Sequence, residues 1–271
     1  MRSQKELTLD TKIIDILVSF HLSGIALEGA KLILMDEEIQ AAQEYANTVS
    51  IIRLGYNDHG PVHMRTVAMN AIIMAGLLRD AGIVTSLEKD KFGDFEDSVT
   101  AIIFGSMLHD LGMGMGRQDH EIFSTIIAYP VLDRLLGQIY ANDLRKRVVV
   151  RTLALEGIAG HMGNRTINSL EAGVIQVADG CDMTKGRARI PMILGNTPRA
   201  GNIHQYSANS IEEVRIEAGD EKPIRIEVIM SSEVGLFQVE EVLLAKIAAS
   251  TAKPFIELYA QVLNDSQKRY L

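Results

Sequence analysis

Residues 94–112, DFEDSVTAIIFGSMLHDLG, predict a buried helix that ends in a histidine and an aspartate. Asp94 can accept hydrogen bonds from the free amides of the first turn. Apolar residues then recur at three- and four-residue spacing, which turns one face toward a core: Val99, Ile102, Ile103 and Met107. His109 and Asp110 fall in the last turn, and the glycine-rich run after them predicts a flexible loop.

The same spacing continues on both sides of this helix, from about residue 9 to residue 190. Turn-forming residues divide the region into further predicted helices at 36–54, 62–80, from about 119, 142–158 and 169–183. We interpret residues 13–35 as one packed helix, because charged residues interrupt its apolar run and exclude a membrane span. Residues 1–200 therefore predict a mainly α, helical bundle domain.

The pattern changes in residues 201–271. Apolar and charged residues alternate in 214–217 and again in 224–228, and a Gly-Asp turn between them predicts a β-hairpin. A helical stretch follows at 239–250, and the alternation returns at 255–262. We therefore predict a small C-terminal α/β domain with the order β-β-α-β.

The charge, the aromatic content and the cysteine content argue against nucleic-acid binding and against disulfide or cysteine-rich zinc proteins. Lys and Arg number 27 against 35 Asp and Glu, and only 5% of residues are aromatic. The chain therefore lacks the basic field and the stacking surfaces that are typical of nucleic-acid binding proteins. The single Cys181 excludes an internal disulfide and a cysteine-rich zinc site. We expect a cytoplasmic protein that binds neither membranes nor nucleic acid.

His109 and Asp110 offer an imidazole and a carboxylate side by side, which suits a borderline divalent metal ion. His63 and Asp179 each belong to a different predicted helix. A helical bundle can bring side chains from facing helices to one point in its core. We therefore predict that His63, His109, Asp110 and Asp179 form a metal site.

The order of these four residues resembles the H…HD…D signature of the HD-domain metal-dependent phosphohydrolase superfamily. The local sequences are also similar to it: HMRTV at 63–67, MLHDLG at 107–112 and VAD at 177–179. The resemblance covers about residues 50–190. It implies an HD-type helical bundle in which the four residues bind metal, and it implies hydrolysis of phosphate esters.

His120 and His161 fall in the intervals where binuclear members of that superfamily place two further histidines. The resemblance therefore implies two divalent ions, from among Mn, Fe, Co, Ni, Zn and Mg, with Asp110 between them. Such ions would activate a hydroxide for attack on phosphorus, with His109 and Asp110 as the catalytic residues. The expected substrate is a small phosphorylated molecule such as a nucleotide.

Cationic side chains at the rim of such a site would bind the remaining phosphate oxygens. Arg117 ends the glycine-rich run, and Lys185 and Arg187 follow the predicted ligand Asp179. The alternative for these cations is a solvated helix end. Asp182 lies on the same helical face as Asp179, so it is either the partner of a metal ligand or a surface acid.

Three other residues near or outside this set have competing interpretations. Asp58 and His59 precede His63 in a predicted turn, where they serve either the turn itself or the orientation of the His63 ring. His21 lies in a predicted packed helix and is expected to be structural.

The chain departs from the superfamily pattern in two places. Some HD enzymes carry a lysine shortly after the His-Asp pair, whereas glycines and methionines stand here before Arg117. The Gly-Tyr-Pro motif of the cyclic-dinucleotide branch is missing as well. The C-terminal strands motivate the alternative function, which is a ligand-binding or regulatory module on the HD scaffold, without turnover. The C-terminal domain is expected to be regulatory or to mediate a homodimer through a strand edge.

Overall fold

A computed structural model describes residues 2–185, 203–263 and 265–271. The helices before residue 186 are α1 Gln4–Ser19, α2 Ile25–Met35, α3 Glu37–Thr48 with a π-helical extension Val49–Arg53, α4 Pro61–Asp80, α5 Ser86–Lys89, α6 Phe95–Leu108, α7 His120–Ile139, α8 Leu144–Gly160 and α9 Leu170–Cys181. A small sheet follows near the C-terminus. The predicted fold class, mainly helical with a small C-terminal α/β part, is confirmed at this level.

Helix α6 is the centre of the bundle, because its side chains from residue 97 to residue 108 are all buried. It packs against α2, α4, α8 and α9. As the sequence predicts, the helix begins directly after Asp94, which caps its first turn. The Asp94 carboxylate accepts a hydrogen bond from the Asp97 amide at 3.1 Å, and the Asp97 carboxylate accepts one from the Asp94 amide at 2.9 Å. The helix thereby carries His109 and Asp110 to one end of the bundle.

The glycine-rich run after α6 differs from the predicted flexible loop, because Leu111–Gly114 forms a 3₁₀ turn. Gly112 explains this conformation. A Cβ atom at Gly112 would collide with the carbonyl oxygen of His120 and would lie 2.7 Å from the backbone nitrogen of Ser124. The missing side chain therefore allows the start of α7 to lie directly against the His109-Asp110 turn.

The prediction of one helix over residues 13–35 is wrong in one respect, since α1 ends at Ser19 and α2 begins at Ile25. His21 in the connection has a φ of 59°. A residue from a distant part of the sequence, Glu96, stabilises this break between α1 and α2. The Glu96 carboxylate accepts hydrogen bonds from the backbone amides of Gly24 and Ala26, both at 3.2 Å, and so satisfies amides at the start of α2.

The C-terminal part contains α10 Ile203–Ser210, β1 Ile211–Ala218, β2 Ile224–Met230, α11 Leu244–Ala249, β3 Ile256–Val262 and β4 Lys268–Arg269. Strands β1 and β2 form the predicted antiparallel hairpin, and β3 pairs with β2 in parallel. The predicted β-β-α-β order is present. Strand β4, which is two residues long and pairs antiparallel with β3, was not predicted because its pattern is too short to detect.

A π-helical segment, Gln238–Leu243, runs directly into α11, and we call residues 238–249 together the C-terminal helix. This helix packs against α9, while β1 and β2 pack against α4. Apolar residues of the sheet and of the bundle belong to one buried core. The predicted domain boundary at residue 200 lies outside the described residues, and the division into two domains stays a prediction.

Helices α4 and α7 are each long and apolar enough to cross a membrane, judged by length and composition alone. In α4, 72% of the apolar window is buried inside the protein, and in α7 the share is 33%. Core helices of soluble proteins pass the same test, and the burial of α4 fits that class. The cytoplasmic location stays a prediction.

Candidate metal centre

Six side chains from five parts of the bundle meet at one end of α6. His63 lies in the first turn of α4, His109 and Asp110 follow α6, and His120 is the first residue of α7. His161 directly follows α8, and Asp179 lies in the last turn of α9. All six are at most 6% exposed: His63, His109, Asp110, His120, His161 and Asp179. The structure therefore brings together every residue that the sequence analysis proposed as a metal ligand.

Asp110 lies between two pairs of histidines. Its Oδ2 atom is 3.2 Å from His63 Nε2 and 3.3 Å from His109 Nε2. Its Oδ1 atom is 3.2 Å from His120 Nε2 and 3.4 Å from His161 Nε2. One carboxylate thus divides its two oxygens between two sets of imidazole nitrogens, which is the arrangement expected of a ligand shared by two ions.

The outer nitrogens of three histidines are held by backbone carbonyl oxygens. The Nδ1 contacts are His109 to Ser106 at 2.8 Å, His120 to Arg117 at 2.9 Å and His161 to Ile158 at 2.7 Å. A carbonyl oxygen only accepts hydrogen bonds, so each Nδ1 carries a proton. In the neutral ring, the lone pair is then on Nε2, which faces Asp110.

His63 is oriented by a carboxylate. Its Nδ1 atom lies 2.6 Å from Asp182 Oδ2, so Asp182 contacts a proposed ligand and is not merely a surface acid. A carboxylate at this position fixes the ring and increases the basicity of the opposite nitrogen. Of the two interpretations of Asp182 that the sequence left open, the structure therefore favours the partner of a ligand.

Asp179 uses its two oxygens differently. Oδ1 lies 3.3 Å from His63 Nε2 and 3.8 Å from His109 Nε2, whereas Oδ2 accepts a hydrogen bond from the Lys246 ammonium group. Lys246 belongs to the C-terminal helix and also donates to the His161 carbonyl oxygen at 3.0 Å. Sequence reasoning missed this lysine, because a single lysine in an ordinary helical pattern gives no signal of a contact 67 residues away.

The electrostatic environment keeps the carboxylates ionised and one imidazole neutral. Burial opposes ionisation of Asp110, yet the neighbouring His109 and His59 hold the pKa of its carboxyl well below the usual value. Burial likewise opposes ionisation of Asp179, but Lys246 is the main group that holds the pKa of Asp179 low. Burial lowers the pKa of His161 to about 4. The cluster therefore combines negative oxygens with a neutral nitrogen at neutral pH.

This set of atoms fits divalent metal ions. Three groups each place their ligand atoms within 4.8 Å of one another: His63, His109 and Asp110; His109, His161 and Asp179; and Asp110, His120 and His161. The facing Nε2 atoms are 3.1 Å apart for His63 and His109 and 3.2 Å apart for His120 and His161. Lone pairs and carboxylate oxygens at these distances repel one another unless protons or cations lie between them. Mixed imidazole and carboxylate ligands suit Mn, Fe, Co, Ni or Zn.

A cavity of about 460 Å³ opens onto the cluster, with Asp110, His161 and Asp179 in its wall. Arg117 and Tyr56 lie on the bundle side, and the Arg117 guanidinium carbon is 5.9 Å from the centre of the Tyr56 ring. Residues of the C-terminal helix also line the cavity. The cavity is therefore large enough for a small molecule, and it gives that molecule direct access to the proposed ligands.

Comparison with known proteins gives a relative but no activity. The chain is 41% identical over 242 residues to the uncharacterized protein MJ1020 of Methanocaldococcus jannaschii, which is 88% of this chain and 91% of the relative. The chain belongs to the MJ1020 family. No family model and no solved structure matches it.

In this member of the MJ1020 family, the three cations proposed to bind substrate have different positions. Arg117 lines the cavity. Lys185 forms an ion pair with Glu212 of β1 and is not among the described residues that line the cavity. Arg187 lies outside the described residues. The role of all three in substrate binding stays a prediction.

His59, His21 and the turn before α4 also have defined positions in the MJ1020-family chain. Asp58 Oδ1 accepts a hydrogen bond from the Gly60 amide at 2.8 Å, which is turn chemistry. His59 Nδ1 lies 2.7 Å from the Asn57 carbonyl oxygen, and its ring centre is 5.9 Å from that of His63. His21 is exposed and lies in the turn between α1 and α2. The predicted packed-helix position of His21 is therefore wrong.

Proposed function

We propose that this protein is a metal-dependent phosphohydrolase of the HD type that hydrolyses a phosphate ester of a nucleotide or a similar small molecule. The position of Asp110 carries the proposal, because its two oxygens face two separate pairs of buried histidine nitrogens. This arrangement supports two divalent ions. We propose the cytoplasm as the location, since the chain has a single cysteine, Cys181, which is free and buried.

The chemistry of the proposed reaction divides between the ions and the chain. Divalent ions held by this set of ligands supply Lewis acidity, which stabilises negative charge on phosphoryl oxygens and makes water a stronger acid. The chain fixes the ligand atoms in advance. Backbone carbonyl oxygens orient three of the histidines, and Asp182 orients His63, so little reorganisation is needed when charge develops during the reaction.

The cavity wall supports a nucleotide or another substrate with a planar part. Tyr56 is 44% exposed, lines the cavity and lies beside the Arg117 guanidinium group. An aromatic ring with a neighbouring guanidinium provides a surface on which a planar base can stack. Arg117 would at the same time contribute positive charge near an anionic substrate.

The experiment is a hydrolysis assay with Mn-loaded protein and a panel of nucleoside mono-, di- and triphosphates. p-Nitrophenyl phosphate and bis-p-nitrophenyl phosphate would distinguish monoester from diester activity. The test variant is His109→Asn, and His21→Asn is its matched control because His21 is exposed and outside the cluster. We expect turnover in the wild type and in His21→Asn, and loss of turnover by about 10³-fold in His109→Asn.

Turnover that survives unchanged in His109→Asn would contradict the proposal. Binding of a nucleotide by metal-loaded protein, without any hydrolysis, would instead favour the binding or regulatory module.

Strand β1 supports a homodimer in either case, because it forms one edge of the described sheet. Light scattering on the purified protein measures that assembly directly.

A further inference from the structure

The C-terminal helix turns one face toward the cavity. The residues of that face follow the helical pattern i, i+3, i+4, i+7 and i+8: Gln238, Glu241, Val242, Ala245 and Lys246. Such spacing is typical of the side of a helix that packs against a surface. The bundle supplies the proposed ligands, but it leaves one wall of the cavity to a segment that follows the hairpin. A molecule that fills the cavity therefore contacts both parts of the chain.

Lys246 is the cation of this face. Its side chain is 12% exposed, and its ammonium group donates to the Asp179 carboxylate and to the His161 carbonyl oxygen. An ammonium group has three N–H donors. Contacts with the described residues use two of them, and the lysine lines the cavity, so one donor is left for a molecule bound there.

The charge of the cavity wall makes this donor important. The carboxylates on the wall are Asp110, Asp179, Asp182 and Glu241, whereas the described Lys and Arg residues on the wall are Arg117 and Lys246. An anionic substrate is repelled by such a wall unless cations lie close to its negative oxygens. Of the two, Lys246 contacts the proposed ligand Asp179 directly, whereas Arg117 lies over Tyr56.

We propose that Lys246 binds the phosphoryl group of the substrate, while its contact with Asp179 holds Oδ1 of that carboxylate toward His63. This inference rests on the proposed function. It assigns this role to the C-terminal helix, because the residues directly after the His-Asp pair, 111–116, contain no cation. The substrate is then held between the bundle and the C-terminal helix.

The test uses the full chain loaded with saturating Mn, and inorganic phosphate is the probe. Isothermal titration calorimetry measures phosphate affinity for the wild type, Lys246→Met and Lys246→Arg, and elemental analysis measures metal content. Lys253→Met is the matched control, because Lys253 is an exposed lysine four residues after the C-terminal helix. We expect Lys246→Met to weaken phosphate binding by about tenfold or more with unchanged metal content. Lys253→Met should stay near the wild-type affinity, and Lys246→Arg should recover part of the loss.

Two results would overturn the inference. One is a phosphate affinity of Lys246→Met within about twofold of the wild type. The other is a Lys246→Met variant that no longer loads Mn at saturation, because the lysine would then act only through Asp179.

Hydrolysis of a phosphate ester by the wild type distinguishes the role of Lys246 from the proposed hydrolase function. If the wild type turns over and Lys246→Met binds phosphate normally, this inference fails and the proposed function stands; if the wild type neither hydrolyses esters nor binds phosphate, both fail.

Discussion

The helical bundle and the C-terminal helix contribute different sets of side chains to the same cavity. The bundle supplies histidine nitrogens and carboxylate oxygens, which attract cations. The C-terminal helix supplies the ammonium group of Lys246, which attracts an anion, next to the side chains of Gln238, Glu241, Val242 and Ala245. Both parts share one buried core, so their relative position is fixed by packing. The proposed roles of the two parts predict that metal binding and phosphate binding can be changed separately. The following predictions test that separation, from the largest expected effect to the smallest.

Asp110→Asn should have the largest effect, and it acts on the bundle side. An amide offers only one oxygen, so one of the two histidine pairs would face an NH₂ group in place of an acceptor. We expect the metal content to fall and kcat/KM for the best ester substrate to fall by about 10³-fold or more. Asp80→Asn, at an exposed aspartate paired with Arg79, is the control. Wild-type metal content together with wild-type turnover in Asp110→Asn would contradict the shared-ligand arrangement.

Gly173→Ala should affect the contact between the two regions. A Cβ atom at Gly173 of α9 would collide with Thr251 Oγ1 and would lie 2.9 Å from the Ala252 nitrogen, so the chain after the C-terminal helix must move. We expect a decrease of about 2 kcal/mol in the free energy of unfolding, together with weaker phosphate binding and retained metal. Gly137→Ala is the control, because its nearest neighbours are the flexible end of Arg147. Urea unfolding measures the free energy of unfolding, and calorimetry measures the phosphate affinity. Equal loss of metal binding and phosphate binding would contradict separate roles for the bundle and the C-terminal helix.

Asp182→Ala should weaken metal binding without removing any proposed ligand. The carboxylate of Asp182 lies 2.6 Å from Nδ1 of His63, and its loss removes a contact that orients the ring. Loss of such supporting contacts typically lowers metal affinity by about 10- to 100-fold. Competition with a metal-binding dye measures the affinity, with Asp220→Ala in the hairpin turn as control. An unchanged affinity would show that Asp182 has no part in orienting His63.

The free energy of unfolding of the metal-free protein should depend on pH through His161. Burial lowers the pKa of His161 in the folded protein from 6.5 to about 4. Between these values the unfolded chain binds the proton and the folded chain does not, so stability falls as the pH is lowered from 6.5 toward 4, by up to about 1.4 kcal/mol per pH unit. Urea unfolding in the presence of a chelator at several pH values measures this slope. His161→Asn should flatten it, whereas a slope parallel to that of the wild type would contradict the assignment to His161.

Local sequence signals predicted most of the fold. Asp94 and Pro61 mark helix starts that the structure contains, and the alternation in residues 214–228 predicted the hairpin. These signals succeed because capping and strand alternation depend on nearby residues. The break between α1 and α2 was missed, because Glu96 fixes it from a remote position in the sequence.

The candidate site could be predicted from the sequence only on its bundle side. Metal ligation restricts the types of residue, so the His-Asp pair and its distant partners form a recognisable pattern. Lys246 belongs to no such pattern, since its position depends on how the C-terminal helix packs against α9. Asp182 was left open for the same reason, because only the fold shows that it contacts His63.

The most direct test of the metal centre is the metal content per chain, measured by elemental analysis of protein purified without chelator or affinity tag. Asp110 between two histidine pairs predicts about two divalent ions per chain. The absence of bound metal, even after reloading with Mn or Fe, would contradict the proposed metal centre and the hydrolase function that depends on it.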